Sequence, residues 1–297
     1  MRFLTSRTMP KPTPPAKPTI EVVDPRWVLK AGAVVILVAF LCAYTVICAL
    51  FYHSQAQLVL HPTRTITTTP SIPFTELHFG VDTTGQPQLN GWWIPSDNPA
   101  NPTVLMLHSG EGNISDTLPQ AINLHDANLN VLLFDYRGYG RSLGLNPSNA
   151  TMQADAETAL TYLTTTRAIS PTAILVYGTG VGASLATNLC ANHPNLPGLI
   201  LESPTGDLEQ QVRDDQRSTL IPMHLLFHER FPLAAPLSTL KTPKLILTYT
   251  TPHSDFNPRQ AADPKLTTEL NSPTNTEAIH TTLRRFLDTY TPLLTTH

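Results

Sequence analysis

The chain has 297 residues, of which 41% are hydrophobic and 14% charged, and its formal net charge is -3. That is enough for one globular core of roughly 230 to 250 residues, and without a basic excess it excludes DNA and RNA as partners. Of three cysteines, Cys42 and Cys48 fall in an N-terminal apolar run and Cys190 stands alone in the body. No disulfide can therefore staple the main domain, and the redox compartment is not readable from cysteine usage.

Residues 1–30 hold Pro10, Pro12, Pro14, Pro15 and Pro18 among Arg2, Arg7, Lys11, Lys17, Arg26 and Lys30. Prolines at this density prevent helix, so the spacing predicts an extended, disordered basic tail. From Ala31 to Tyr52 follow about 22 residues without a charge, long enough as a helix to cross a hydrocarbon layer of ~30 Å. A cleaved signal peptide would carry a shorter apolar stretch, about 7 to 15 residues, ending at a small-residue site; this run is longer and leads into Phe51-Tyr52-His53. Arg26 and Lys30 precede the run and no Lys or Arg follows before Arg64. The basic-residue bias thus predicts a single-pass anchor in the cell membrane, with a cytoplasmic N-terminus and an extracytoplasmic domain over 55–297.

Beyond the anchor, apolar runs of strand length occur at 76–79, 89–94, 104–107, 131–134, 174–177, 199–201 and 245–249. Several are unbroken apolar blocks, as in strands buried on both faces. Helical stretches over roughly 116–128, 152–166, 181–193 and 276–290 alternate with them. Such alternation predicts an α/β fold with a mostly parallel sheet and helices on both faces.

The most informative segment is Val176-Tyr177-Gly178-Thr179-Gly180-Val181-Gly182-Ala183. An apolar strand runs into a turn of small residues and then a helix, the layout of a nucleophile elbow of G-x-S-x-G type. The central position is Gly180, which has no oxygen to attack a carbonyl. A side chain at the tip of such a turn sits in strained backbone, and glycine relieves that strain because it accepts positive φ cheaply. Gly178, Gly182 and Ala183 still let strand and helix approach closely. Ser184 would project from the helix that follows, as a packing residue or as a surrogate nucleophile.

Four segments resemble the membrane-anchored branch of the α/β-hydrolase superfamily, the abhydrolase-domain serine hydrolases, whose members include lipid and peptide hydrolases. They are Leu58-Val59-Leu60-His61-Pro62 after the anchor, the loop His108-Ser109-Gly110-Glu111-Gly112-Asn113, the run Asp135-Tyr136-Arg137-Gly138-Tyr139-Gly140-Arg141-Ser142, and the elbow itself. The third is the most specific, and it also reads as a structural turn in which Arg137 pairs with a carboxylate.

The resemblance implies an α/β-hydrolase fold, with Gly180 standing at a vacant nucleophile position. It also implies an oxyanion hole from the N–H of Val181 and the loop at Ser109 and Gly110, although a loop that merely closes over the sheet reads equally well. Triad members follow in the order Ser, Asp, His, which places the acid at Asp255 in His253-Ser254-Asp255-Phe256-Asn257-Pro258. The base would lie in the loop over 271–275, which contains no histidine; His280, about a turn into the next helix, and His253, beside the acid, are the alternatives. Residues 206–231 take the position of a cap, and Leu220, Ile221, Met223, Leu225, Leu226 and Phe227 make it apolar enough to face a pocket or the bilayer, or to pack on the sheet. No cofactor and no metal is expected.

Removing the nucleophile alone costs about 10⁶-fold in turnover in a well-studied serine protease. The sequence therefore points to a catalytically degenerate protein that binds a lipid, an acyl or peptidyl ligand, or a protein partner. An active ester, thioester or peptide hydrolase with a surrogate such as Ser184 or Ser109, and a structural module of an envelope complex, are the alternatives.

Overall fold

In the computed structural model the described residues are 24–144, 146–206, 226–250 and 256–291. The chain divides into two compact units, residues 1–49 and 50–297. The described part of the first is helical, within α1 (Pro25–Val59). Pro25 opens that helix at the one position where a missing N–H costs nothing, and Asp24 Oδ1 accepts the Arg26 N–H at 2.9 Å. Residues 25–30, expected in the extended tail, are thus helical. The apolar side chains of α1 stay exposed, Leu29, Ile36 and Phe40 among them, and the 33 residues Pro25–Gln57 are long and apolar enough to cross a membrane.

The second unit is built on an eight-stranded sheet. Its strands are β2 (Thr75–Val81), β3 (Pro87–Ile94), β4 (Thr103–Leu107), β6 (Asn130–Asp135), β7 (Ile174–Gly180), β8 (Leu199–Pro204), β9 (Lys244–Tyr249) and β10 (Lys265–Leu270). The order across the sheet is β10-β9-β8-β7-β4-β6-β3-β2. Pairing is parallel from β10 to β6, and antiparallel where β3 meets β6 and β2. A two-stranded ribbon pairs β1 (His61–Pro62) with β5 (Glu111–Gly112).

Helices cover both faces. On one face α3 (Asn149–Thr161) and α4 (Gly182–Asn192) pack on Leu105, Leu107, Val176 and Leu201. On the other, α2 (Leu118–Asp126) and α6 (Thr276–Tyr290) pack on Val104, Met106, Leu175 and Ile200. The alternation of successive side chains between faces explains the unbroken apolar blocks, since each residue of a central strand meets a helix layer. A short helix, α5 (Ala234–Leu237), leads toward β9. The seven expected strands and four expected helices all form. β10 was not anticipated: its burial pattern is half-exposed throughout, and an edge strand covered on few sides carries no apolar block.

Candidate functional site

β7 ends at Gly180 and α4 begins at Gly182, so the strand turns into the helix through a single residue, Val181. Gly180 has φ +57°, the left-handed region that costs an L side chain about 1–2 kcal/mol. The turn is tight because its neighbours lack side chains. A Cβ on Gly182 would lie 2.3 Å from the Leu107 carbonyl oxygen, and one on Gly178 would lie 2.5 Å from the Gly182 carbonyl oxygen. Strand and helix therefore close on each other with no room for a methyl group.

The loop after β4 stands over this turn. A Cβ on Gly180 would lie 2.8 Å from Ser109 Cβ and 3.6 Å from Thr205 Oγ1, and one on Gly110 would lie 3.1 Å from Val181 Cγ2. Ser109, Gly110, Gly180 and Val181 are thus brought together at the C-terminal end of the parallel strands. The loop is held from several sides. The Gly110 carbonyl accepts from the His61 N–H at 2.8 Å and the Tyr139 hydroxyl at 2.9 Å, and the Tyr136 hydroxyl donates to the His108 carbonyl at 3.1 Å. Asn113 caps the 3₁₀ turn that follows, accepting the Ser115 N–H while its own N–H donates to Asp116.

His108 and Asp135 lie behind the loop, both fully buried. The His108 ring donates from Nδ1 to the Ser109 carbonyl at 2.8 Å, which leaves Nε2 as the lone-pair nitrogen. Nε2 lies 3.9 Å from Asp135 Oδ1, and it has no hydrogen-bond partner among the described residues. Burial drives the imidazole down to about 4, against a smaller pull from its bond to Ser109. It pushes the Asp135 carboxyl up to about 7, against the Ile114 N–H that Oδ1 accepts at 2.9 Å. Sequence reading took both for loop and turn residues.

A second buried polar group lies under the face that carries α2. The Tyr177 hydroxyl donates to Glu202 Oε2 at 2.6 Å. Burial raises the Glu202 carboxyl, against a smaller pull from the Tyr177 hydroxyl. Glu202 thereby ties β8 to the strand of the elbow. Next to it Ser203, which the sequence did not single out, has φ +43° without being glycine.

Of the other expected site residues, Ser184 and His280 are among those described. Ser184 is buried and its hydroxyl donates to the Pro232 carbonyl at 2.7 Å; as a surrogate nucleophile it is occupied and turned into the core. His280 sits on α6, on the sheet face opposite α4, and its buried Nε2 has no hydrogen-bond partner among the described residues. Asp255 and His253 lie outside the described residues, as do residues 207–225 of the expected cap. Of that cap, Phe227 and Phe231 are buried. Gln55 Nε2 donates to the Leu226 carbonyl at 2.5 Å, and Gln55 Oε1 accepts the His228 N–H at 2.8 Å. A cleft of about 440 Å³ opens beside the ends of β9 and β10, lined by Tyr249, Phe256, Arg259, Thr268 and Glu269.

Comparison with known proteins agrees with this architecture. The chain is 38% identical to Protein bem46 of Schizosaccharomyces pombe over 122 residues, 40% of each. It is 30% identical over 168 residues to an uncharacterized protein of Mycobacterium tuberculosis, 56% of this chain and 58% of that one. The chain thus spans about two fifths to three fifths of the length of these relatives. A structure of an esterase from Pyrococcus furiosus superposes with a TM-score of 0.61 at 18% identity, covering 78% of this chain and 98% of that one, a likeness of fold. A family model described as serine aminopeptidase, S33, matches residues 98–288, and the chain belongs to that family of α/β hydrolases.

Proposed function

We propose that the chain is a membrane-tethered α/β-hydrolase-like protein that does without covalent serine catalysis. It acts by binding a lipid, an acyl or peptidyl group, or a protein partner at the mouth of the elbow. One observation carries the reading: the residue at the tip is Gly180, at φ +57°, and a side chain there would run into Ser109. Ser184 supports it, because its hydroxyl is committed to Pro232. The apolar exposed surface of α1 supports the tether, and Arg26 and Lys30 before the apolar run favour a cytoplasmic tail with the domain outside.

Ser203 favours a second reading, an active hydrolase of esters, thioesters or peptides with a surrogate nucleophile. Non-glycine residues held in the left-handed region concentrate at functional sites, and Ser203 is on the strand beside the elbow. A fluorophosphonate probe applied to the full chain in detergent separates the two. The binding reading expects no covalent label. Label that disappears in Ser203→Ala or Ser109→Ala overturns it and names the nucleophile.

A further inference from the structure

β10 is an edge of the sheet, paired on one side only, with β9. The carbonyls of its even-numbered residues face that neighbour: the Lys244 N–H donates to the Pro264 carbonyl at 3.2 Å and the Thr250 N–H to the Leu270 carbonyl at 3.0 Å. Backbone groups alternate in direction along a strand. Lys265, Thr267 and Glu269 therefore turn their N–H and C=O groups away from the sheet. Thr267 and Glu269 are exposed, and the Tyr290 hydroxyl reaches the Lys265 carbonyl only at 3.4 Å, near the limit at which such contacts contribute.

A row of unpaired backbone groups is a template for another strand, and proteins commonly blunt it with a kink, a bulge or a proline. The opposite edge carries such a kink, since Gly80 in β2 has φ +69°. β10 has no positive φ and no proline between 265 and 270. Its charges are instead placed to match a second copy of itself. In an antiparallel pairing centred on Thr267, the outward-facing residues meet as Lys265 with Glu269, Thr267 with Thr267, and Glu269 with Lys265, making about six main-chain hydrogen bonds. Opposite charges directly across two strands stabilise the pair, and like charges destabilise it. Sliding the copies by one step toward the N-terminus sets Glu269 against Asp263, and sliding the other way leaves Lys265 across from Asn271. The charges thus select the register centred on Thr267.

The symmetry of this pairing suits two chains tethered in one membrane. Its two-fold axis is perpendicular to the sheet at β10. Neighbouring strands rotate by roughly 20–25°, so the four steps from β10 to β4 turn the strand direction by about 80–100°, bringing β4 nearly parallel to that axis. The loop after β4, where Leu60 packs on Gly110, then faces the same way in both copies.

We propose that β10 is an interaction surface for a second copy of this chain, which pairs with it antiparallel about Thr267 and joins the two sheets into one. The pairing goes beyond the reading of the elbow and does not depend on what binds there.

The test uses the full chain in detergent micelles, with analytical ultracentrifugation over a concentration series and a melting temperature for each variant. Wild type should show a two-chain species that grows with concentration. Thr267→Pro removes the central N–H at an edge position where proline is tolerated, and it should remain a single chain. Lys265→Glu and Glu269→Lys each set like charges across both ends, and each should weaken association about tenfold. Mixing these two variants in equal amounts restores opposite charges at both ends, as does the doubly exchanged chain, and both should associate as tightly as wild type. Wild type that stays single, a two-chain species that survives in Thr267→Pro, or a mixture that associates no more tightly than either variant alone overturns the proposal. If Thr267→Pro fails to fold, the mixing comparison decides alone. Fluorophosphonate labelling would overturn the binding reading and leave this outcome unchanged, so the two failures are distinct.

Discussion

His108 Nε2 lies 3.9 Å from Asp135 Oδ1 inside the protein, with neither side chain exposed, and burial shifts both groups toward their uncharged forms. The folded pair holds one proton between about pH 4 and 7, on the carboxyl. The unfolded pair also holds one proton across most of that range, but on the imidazole. With equal proton counts in the two states, the pair adds no slope to stability against pH. Asp135→Asn leaves His108 alone: the unfolded imidazole takes a proton below 6.5 and the folded one resists until about 4. Stability should then fall by about 3 kcal/mol as pH drops through that window. His108→Gln leaves Asp135 alone, whose carboxyl stays protonated up to about 7 when folded, so stability should fall by about 4 kcal/mol as pH rises from about 4 to 7. Urea unfolding at several pH values reads both slopes, and parallel profiles for the two variants would refute the coupling.

The three glycines of the elbow should not tolerate alanine equally. A Cβ at Gly182 meets two backbone carbonyl oxygens, of Leu107 at 2.3 Å and His108 at 2.5 Å. At Gly178 it meets the Gly182 carbonyl oxygen at 2.5 Å and Ala183 Cα at 2.8 Å, and at Gly180 its one contact under 3 Å is Ser109 Cβ. Gly182→Ala should lose more than about 3 kcal/mol or fail to fold, Gly178→Ala should follow, and Gly180→Ala should be the mildest. Expression yield and melting temperature give the order; a Gly180→Ala variant less stable than Gly182→Ala would contradict it.

What the sequence disclosed and what it hid divide along a physical line. The elbow was legible because close approach of β7 and α4 demands small residues at 178, 182 and 183, a demand written in residue types. The strands were legible because two helix layers make both of their faces apolar. β10 was not: Lys265-Leu266-Thr267-Thr268-Glu269-Leu270 is an edge strand with half-exposed faces, so its pattern carries no block. His108, Asp135 and Glu202 look like solvent-facing polar residues in sequence, because their burial comes from tertiary packing alone. Ser109 differs again, since its meaning depends on one contact across the chain, with the space above Gly180.

Ser184 is a structural residue by its geometry. Its hydroxyl donates to the Pro232 carbonyl at 2.7 Å with the side chain buried. Ser184→Ala should cost about 1 kcal/mol, a typical net value for one such bond. Calorimetry measures the loss. A variant as stable as the wild type would show that the hydroxyl is not committed to Pro232.

Lys244 should give the domain a stability that rises in alkali. Its side chain is fully buried at the start of β9, and Nζ donates to the carbonyls of Leu240 at 3.0 Å, Ala262 at 2.9 Å and Pro264 at 3.4 Å. Three carbonyl dipoles replace water, but among the described residues no carboxylate pairs with the charge at that distance, and burial lowers the ammonium to about 8, with Lys265 adding repulsion and Asp263 a smaller pull upward. The unfolded chain keeps the proton until about 10.5 and the folded one releases it near 8, so between these values the unfolded state binds more protons and stability increases with pH. The gain should reach about 3 kcal/mol by the upper end of that window. Lys244→Met removes the titration, flattening this part of the profile, while it strands three carbonyls at about 1–3 kcal/mol each if water cannot reach them. Urea midpoints between about pH 7.5 and 10 provide the comparison, and a wild-type profile that declines across that range would show that the buried ammonium is not the group in control.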